Sequence, residues 1–246
     1  MLIKISIITV VKNGMPHLKD CIKSIKNQTF KNIEHIVIYT DSTDGTLKLL
    51  KKNKKKIYYD NTSGNKFGAI NKGIKIARGE YIALLHADDI FFDNNTLSNI
   101  SNILMKKNFD VLYGDMIYVN ENNISKTIRK WISKKYYKSM LNFGWMPPHT
   151  TLFIKKKILL RNPYKQKFSI SGDYDFIIRL FKKKLKFYYF NKCLVKMRYG
   201  GDSNRSLKNI LLKTQQDYYI LKENKIKFPI FALLIKNISK ITQFIK

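Results

Sequence analysis

Residues 79–96 read GEYIALLHADDIFFDNNT. An apolar, strand-like run, EYIALLH, leads directly into two adjacent carboxylates, Asp88 and Asp89, and then into a polar turn. Upstream, Phe67, Ile70, Ile74 and Ala77 fall at helical spacing, and Gly79 reads as the residue that closes that helix. The same alternation extends back to the N-terminus. KISIITVV, residues 4–11, is an almost continuous β-branched run of the kind buried on both faces of a parallel sheet. Asn13-Gly14 makes a turn, Pro16 suits a first helical turn, and Leu18, Cys21, Ile22 and Ile25 share one helical face. EHIVIYT then reads as a strand, DSTDGT as a turn that caps the helix after it, and KIYYD as a short strand. Strands alternating with helices imply right-handed crossovers and a mostly parallel, Rossmann-like sheet flanked by helices, with chemistry just beyond the carboxyl ends of the strands. Asp88 and Asp89 stand at such an end.

After residue 110 the elements become shorter and mixed: DVLYGDMIYV, the aromatic FGWMPPHTTLFI, a helical GDYDFIIRLFKK and a strand-like KFYYFNKCLVKMRYGG. We expect one main domain over residues 1–203, with a first half to residue 110, a second half over 111–203 that completes a cleft, and a helical basic tail over 204–246. The 246 residues carry 47 Lys and Arg against 17 Asp and Glu, a net charge of +30 that attracts anionic surfaces and substrates, although a Lys-rich composition accounts for much of it. Cys21 and Cys193 have neither disulfide-framework nor zinc spacing, which fits a cytoplasmic protein.

Two neighbouring carboxylates repel, and a site that keeps both ionised ordinarily supplies a counter-charge such as a divalent cation. Alone, the dipeptide also fits a solvated strand-to-turn transition. The ordered set is more informative. ISIITVVKNG, NQTFKNIEHIVIYTDSTDGT, AINKGIKIARGEYIALLHADD, PPHTTLFIKK, SGDYDFIIRL and MRYGGDSN together resemble family 2 of the inverting glycosyltransferases, in its colanic-acid and lipooligosaccharide-type subgroup. The resemblance implies a GT-A fold, a nucleotide-sugar donor (a UDP-sugar foremost), and Mn²⁺ or Mg²⁺ on a DxD-like motif. It also implies hexosyl or N-acetylhexosaminyl transfer to a glycan or lipid-linked glycan at the cytoplasmic face of the membrane.

Position by position, the resemblance places Asp88 and Asp89 on the metal and Asp173 as the base that deprotonates the acceptor. Thr9, Val11, Tyr39, Asn65 and Asn71 fall around the nucleoside, Arg198 in a mobile loop over the diphosphate, and His149 and Trp145 on the acceptor side. Asp173 also fits a helix-capping role with Ser171 and Asp175. The chain departs from the family pattern at Tyr39, where an acid is frequent, at His86, where the metal motif begins, at Gly172, where Glu precedes the base, and at Gly68.

In the tail, Phe231, Leu234, Ile235, Ile238, Ile241 and Ile245 share one helical face opposite Lys236, Lys240 and Gln243. That stripe fits an anionic membrane surface, the catalytic domain or a twin subunit. A sugar-phosphate nucleotidyltransferase would share the sheet and the acids but calls for a basic Gly-rich loop after the first strand, which TVVKNGMPH lacks. A basic nucleic-acid- or membrane-binding protein without catalysis would leave Asp88, Asp89 and Asp173 without a role, so no nucleic-acid partner is expected.

Overall fold

The structure, a computed structural model, describes residues 4–54, 57–62, 64–200 and 207–244. Its first half is the alternation expected: β1 (Ile5–Val11), α1 (Leu18–Lys26), β2 (Ile33–Tyr39), α2 (Thr46–Lys52), β3 (Tyr58–Asn61), α3 (Lys66–Ile76) and β4 (Tyr81–Leu84). β3, β2, β1 and β4 lie side by side, all parallel. Crossover helices cover both faces, which is why these strands carry unbroken apolar runs instead of an alternating pattern.

Beyond β4 the sheet becomes mixed. β5 (Ile90–Phe91), α4 (Thr96–Lys106), β6 (Val111–Val119), β7 (Thr127–Trp131), β8 (Phe153–Lys155), α5 (Lys156–Leu160), α6 (Gly172–Phe181) and β9 (Phe187–Arg198) follow. The strand order is β3-β2-β1-β4-β8-β6-β9-β5, with β7 on β6. β8 runs antiparallel between β4 and β6, so the two expected halves share one continuous sheet. One apolar cluster, including Phe67, Tyr113 and Phe176, fills one face, and another, including Ile5, Tyr81 and Phe153, fills the other.

Two local readings need correction. Pro16 lies ahead of α1, which begins at Leu18. Gly79 does not cap α3, whose C-cap is Ala77. Gly79 is needed because β1 passes so close that a Cβ there would stand 2.6 Å from the Ser6 amide nitrogen. DSTDGT does turn the chain into α2: Asp44 accepts from the Thr46 amide at 3.0 Å and, on its other oxygen, from the Met15 amide at 2.7 Å. Asn13 likewise exchanges bonds with Ser42 and Thr43, fastening the loops after β1 and β2 to each other.

The tail forms α7 (Leu207–Glu223) and α8 (Pro229–Ile238), broken before Pro229 as expected, then a 3-10 turn at Ile241–Gln243. The boundary expected at residues 203 and 204 lies outside the described residues, as does Ile245 of the stripe. No described helix is long and apolar enough to cross a membrane. Both cysteines are free.

Candidate active site

β4 delivers its chain end at Leu84, and the Asp89 amide closes a tight turn on the His86 carbonyl at 3.1 Å. The next two residues, β5, pair antiparallel with β9 through Ile90 to Lys196 and Phe91 to Val195, which draws Asp89 inward. Asp89 is fully buried, and neither of its carboxylate oxygens meets a donor in good hydrogen-bond geometry, the Arg198 backbone amide offering only a weak contact. Burial first, and the charge of Asp88 second, push its carboxyl well above the usual carboxylate range, while Arg198 pulls it back only in part. An ionisable group so placed has too little counter-charge around it to hold it ionised. His86 Nδ1 lies 3.5 Å from Asp89 Oδ2, and single ligand atoms of His86, Asp88 and Asp89 all fall within 4.8 Å of one another. Two carboxylates and an imidazole suit Mn²⁺, and the carboxylates suit Mg²⁺. The two orphaned oxygens of Asp89 are the observation that fits such an ion.

The second carboxylate arrives on α6. Gln216 of α7 accepts from the Ile170 and Ser171 amides at 3.1 and 3.0 Å, and Ser171 makes no side-chain cap. Asp175 is fully buried and paired with Arg179 Nε at 2.7 Å and Lys165 at 3.5 Å. Neither residue therefore forms the cap imagined for this helix, and Asp175 is committed to the scaffold. Asp173 accepts only from the amide of the next residue, at 2.9 Å among the described contacts. Burial would raise its pKa, but His149 when protonated in acid, together with Lys66, Lys236 and Lys213, outweighs that and holds it below the usual value, so it is ionised at neutral pH.

His149 joins the two carboxylate groups. Its ring centroid lies 5.0 Å from that of His86, and its Nε2 is buried without a partner. Burial first, then His86, lowers its pKa to about 3, while Asp173 is near enough to pull the other way. A neutral imidazole thus stands against His86 and within electrostatic reach of Asp173. Segments separated by more than 80 residues of sequence converge here, and neither the His86–His149 contact nor the approach of Lys66 and Lys236 is legible in the sequence. A lone lysine spaced four residues from Ala232, on the side of α8 away from its apolar stripe, was the signal available for Lys236.

The other expected site residues fall elsewhere. Thr9 is buried and bonded to His35 Nε2 at 3.1 Å, and Val11 packs with Leu18, Ile22 and Val37. Tyr39, half-buried, rests against Tyr59 at 6.1 Å between centroids. Asn65 caps α3 through the Phe67 and Gly68 amides and also donates to the Gln166 carbonyl. Asn71 clips α3 to Tyr164 by both its amide atoms, at 2.8 and 2.9 Å. Trp145 stacks on Tyr136 and donates to the Ser133 carbonyl at 2.7 Å.

Arg198 is not in a loop but ends β9, nearly buried. It donates to the Asp88 carbonyl at 2.6 Å, to Asp20 at 2.6 Å and to the Glu121 carbonyl at 3.1 Å. It positions the acid-bearing turn. The following Gly201–Ser203, expected to form a loop over the cleft, lie outside the described residues. Of the glycines at the departures, Gly172 has a steric reason, since a Cβ there would sit 2.6 Å from the Phe67 ring; one on Gly68 would meet only the movable end of Gln166, at 2.7 Å.

Among solved structures, Staphylococcus aureus TarS superposes with a TM-score of 0.69 at 18% identity, over 89% of this chain and 39% of its own. Its 1–349 fragment in complex with UDP-GlcNAc gives 0.67 at 13% identity, over 99% and 93%. A Pyrobaculum calidifontis mannosyltransferase in complex with GDP-Man and Mn²⁺ gives 0.64 at 13%, over 98% and 75%. These likenesses establish the GT-A-like fold. In sequence, an uncharacterised glycosyltransferase of Methanocaldococcus jannaschii is 31% identical over 219 residues, 84% of this chain and 73% of the relative. A poly(ribitol-phosphate) beta-glucosyltransferase of Bacillus spizizenii is 28% identical over 204 residues, 70% of this chain and 32% of its own. The chain spans 41% of a matching pneumococcal glycosyltransferase and 63% of a Rickettsia typhi one. The glycosyl transferase family 2 model matches residues 6–171, the span that contains the acid pair and ends two residues before Asp173, and the chain belongs to that family.

Proposed function

We propose that this chain is a metal-dependent, inverting glycosyltransferase that moves a hexosyl or N-acetylhexosaminyl group from a nucleotide-sugar, a UDP-sugar foremost, to a hydroxyl of a surface glycan. The observation that carries the reading is the pairing of an unsatisfied, buried Asp89 with an ionised Asp173 across the His86–His149 contact. UDP-GlcNAc and GDP-Man with Mn²⁺ bound to structural neighbours support the donor class and the ion. The polyribitol-phosphate relative and the resemblance to lipooligosaccharide transferases support a glycan or lipid-linked acceptor, met at the cytoplasmic face of the membrane.

In this chain Asp88 and Asp89, with His86, would hold the ion, which supplies positive charge to the diphosphate as the glycosyl bond breaks. The chain's own residues do the rest. Arg198 fixes the turn by its bond to the Asp88 carbonyl. Asp173 accepts the proton from the acceptor hydroxyl as that oxygen attacks the anomeric carbon opposite the departing diphosphate, which inverts configuration. Its depressed pKa keeps the acceptor oxygen for that proton free at neutral pH. Neutral His149 offers a hydrogen bond beside the reacting oxygens without adding charge.

The test is a panel of nucleotide-sugars assayed for hydrolysis and transfer with and without Mn²⁺, together with Mn²⁺ titration followed by electron spin resonance. Asp89→Asn should lose Mn²⁺ binding and metal-supported turnover while folding normally. Parental turnover and parental Mn²⁺ binding in Asp89→Asn would remove the acid pair from the chemistry.

A further inference from the structure

The last helix is mounted the opposite way from its hydrophobic pattern. α8 buries Ala232 and Lys236 and turns its apolar stripe outward: Phe231 is 50% exposed, Leu234 55%, Ile238 60% and, in the next turn, Ile241 64%. The inward side is fixed by specific contacts. Lys236 Nζ pairs with Asp217 Oδ2 at 2.6 Å and lies 3.3 Å from the centre of the Tyr174 ring. A Cβ on Gly144 would come 2.2 Å from the Ala232 carbonyl oxygen, so the 3-10 turn at Lys138–Phe143 closes directly against the helix. That closure brings exposed Phe143 edge-on to Phe231, 6.2 Å between centroids, and extends the apolar face beyond α8 itself. A contiguous outward patch of large apolar side chains is a docking surface or a liability.

Charge identifies the occupant. The segments that build this face carry no carboxylate: there is none between Glu121 and Asp173, and none after Glu223. Exposed Lys138 opens the 3-10 turn that carries Phe143, exposed Lys134 and Lys135 lie just before it in the chain, and exposed Lys227 precedes α8. A second copy of a chain with a net charge of +30 would meet the same basic rim and be repelled. A negatively charged lipid surface is attracted by that rim and accepts the aromatic and aliphatic side chains at its headgroup boundary.

We infer that the outer face of α8, with Phe143 and the Ile241–Gln243 turn, docks the protein on an anionic bilayer surface. α8 then lies in the interface plane, its apolar side chains entering the lipid and its Lys236–Asp217 pair facing the domain. Tyr174, under Lys236, is next in sequence to Asp173, so the bilayer lies roughly one helix diameter, ~10 Å, from that carboxylate. The consequence, a lipid-borne acceptor presented directly to Asp173, rests on the reading of Asp173 as the base; the docking does not.

The experiment is co-sedimentation of the full chain with vesicles of phosphatidylcholine and phosphatidylglycerol, against vesicles of phosphatidylcholine alone, at low and high salt. The parent should pellet with the anionic vesicles, release at high salt and ignore the neutral ones. The triple substitution Phe231→Ser, Leu234→Ser, Ile238→Ser should lower partitioning by roughly tenfold or more with an unchanged melting curve. It should also keep parental nucleotide-sugar hydrolysis in solution, which separates failure of docking from failure of the enzymatic reading. If the triple variant does not fold, Lys138→Gln with Lys227→Gln must weaken anionic-vesicle binding in its place. Equal binding by parent and variants, no anionic preference, or a parental dimer that the triple variant dissociates would each overturn the inference, the last by giving the face to a second copy.

Discussion

Replacing Arg198 with lysine keeps the positive charge and removes the fork. In the parent, Nη1, Nη2 and Nε reach three acceptors on three different segments: the Asp88 carbonyl, the Asp20 carboxylate and the Glu121 carbonyl. One ammonium cannot satisfy that spread. The Asp20 side chain is half exposed and recovers water, so its lost ion pair contributes little. The larger cost comes from the two carbonyls that lose their charged donor, about 1–3 kcal/mol each where water does not replace it. Arg198→Ala, which also leaves a void, should therefore cost about 3–5 kcal/mol and Arg198→Lys roughly half of that. For a domain of this size these correspond to falls in melting temperature of roughly 6–20 °C and 3–10 °C. Because the same fork holds the turn that carries Asp88 and Asp89, Mn²⁺ affinity should fall along with stability. The assay is thermal unfolding beside Mn²⁺ titration. If Arg198 served a bound diphosphate instead, lysine would leave the melting curve and Mn²⁺ binding at parental values and raise only the donor KM. That pattern would refute the clamp.

Gly172→Glu, which restores the residue common in the family before the base, should destabilise by about 1–3 kcal/mol, since its Cβ would meet the Phe67 ring at 2.6 Å; an unchanged urea midpoint would show that the ring yields freely. His35 is buried beside Thr9, and burial lowers its pKa from the usual 6.5 to about 3, so between those values the unfolded chain binds a proton that the folded chain does not. Stability should thus fall as pH drops through that window, by up to about 1.4 kcal/mol per pH unit from this residue, and His35→Gln should flatten the slope of unfolding free energy against pH. Identical slopes would contradict a neutral His35.

Long patterned elements were legible because burial on two faces leaves a β-branched run such as Ile5–Val11, and burial on one leaves a stripe such as Leu18, Cys21, Ile22 and Ile25. β8 was not, because Phe153–Lys155 is too short to show a period, and its insertion between β4 and β6 is a tertiary event. At the site, the motif order led to Asp88, Asp89, Asp173 and His149, which the fold does bring within electrostatic reach of His86. Motif order cannot say which way a polar side chain is committed. Asn65 and Asn71 fall in the segment expected over a nucleoside, yet each is engaged with the stretch from Tyr164 to Gln166, 101 and 93 residues away in sequence. Arg198 reads as a loop cation until β9 is seen to extend to it. α8 misleads a helical wheel because the buried position of Lys236 depends on Asp217, a partner on another helix.

The most direct test of the account is the transfer rate of Asp173→Asn. Asparagine keeps the size and the bond to the Tyr174 amide but cannot take a proton from the acceptor. Measured with a donor accepted by the parent, at saturating Mn²⁺, the variant should bind donor and metal as the parent does and melt within a few degrees of it. It should lose roughly 10²- to 10⁴-fold in transfer. Transfer near the parental rate, with binding and melting unchanged, would contradict the assignment of Asp173 as the base and with it the central claim.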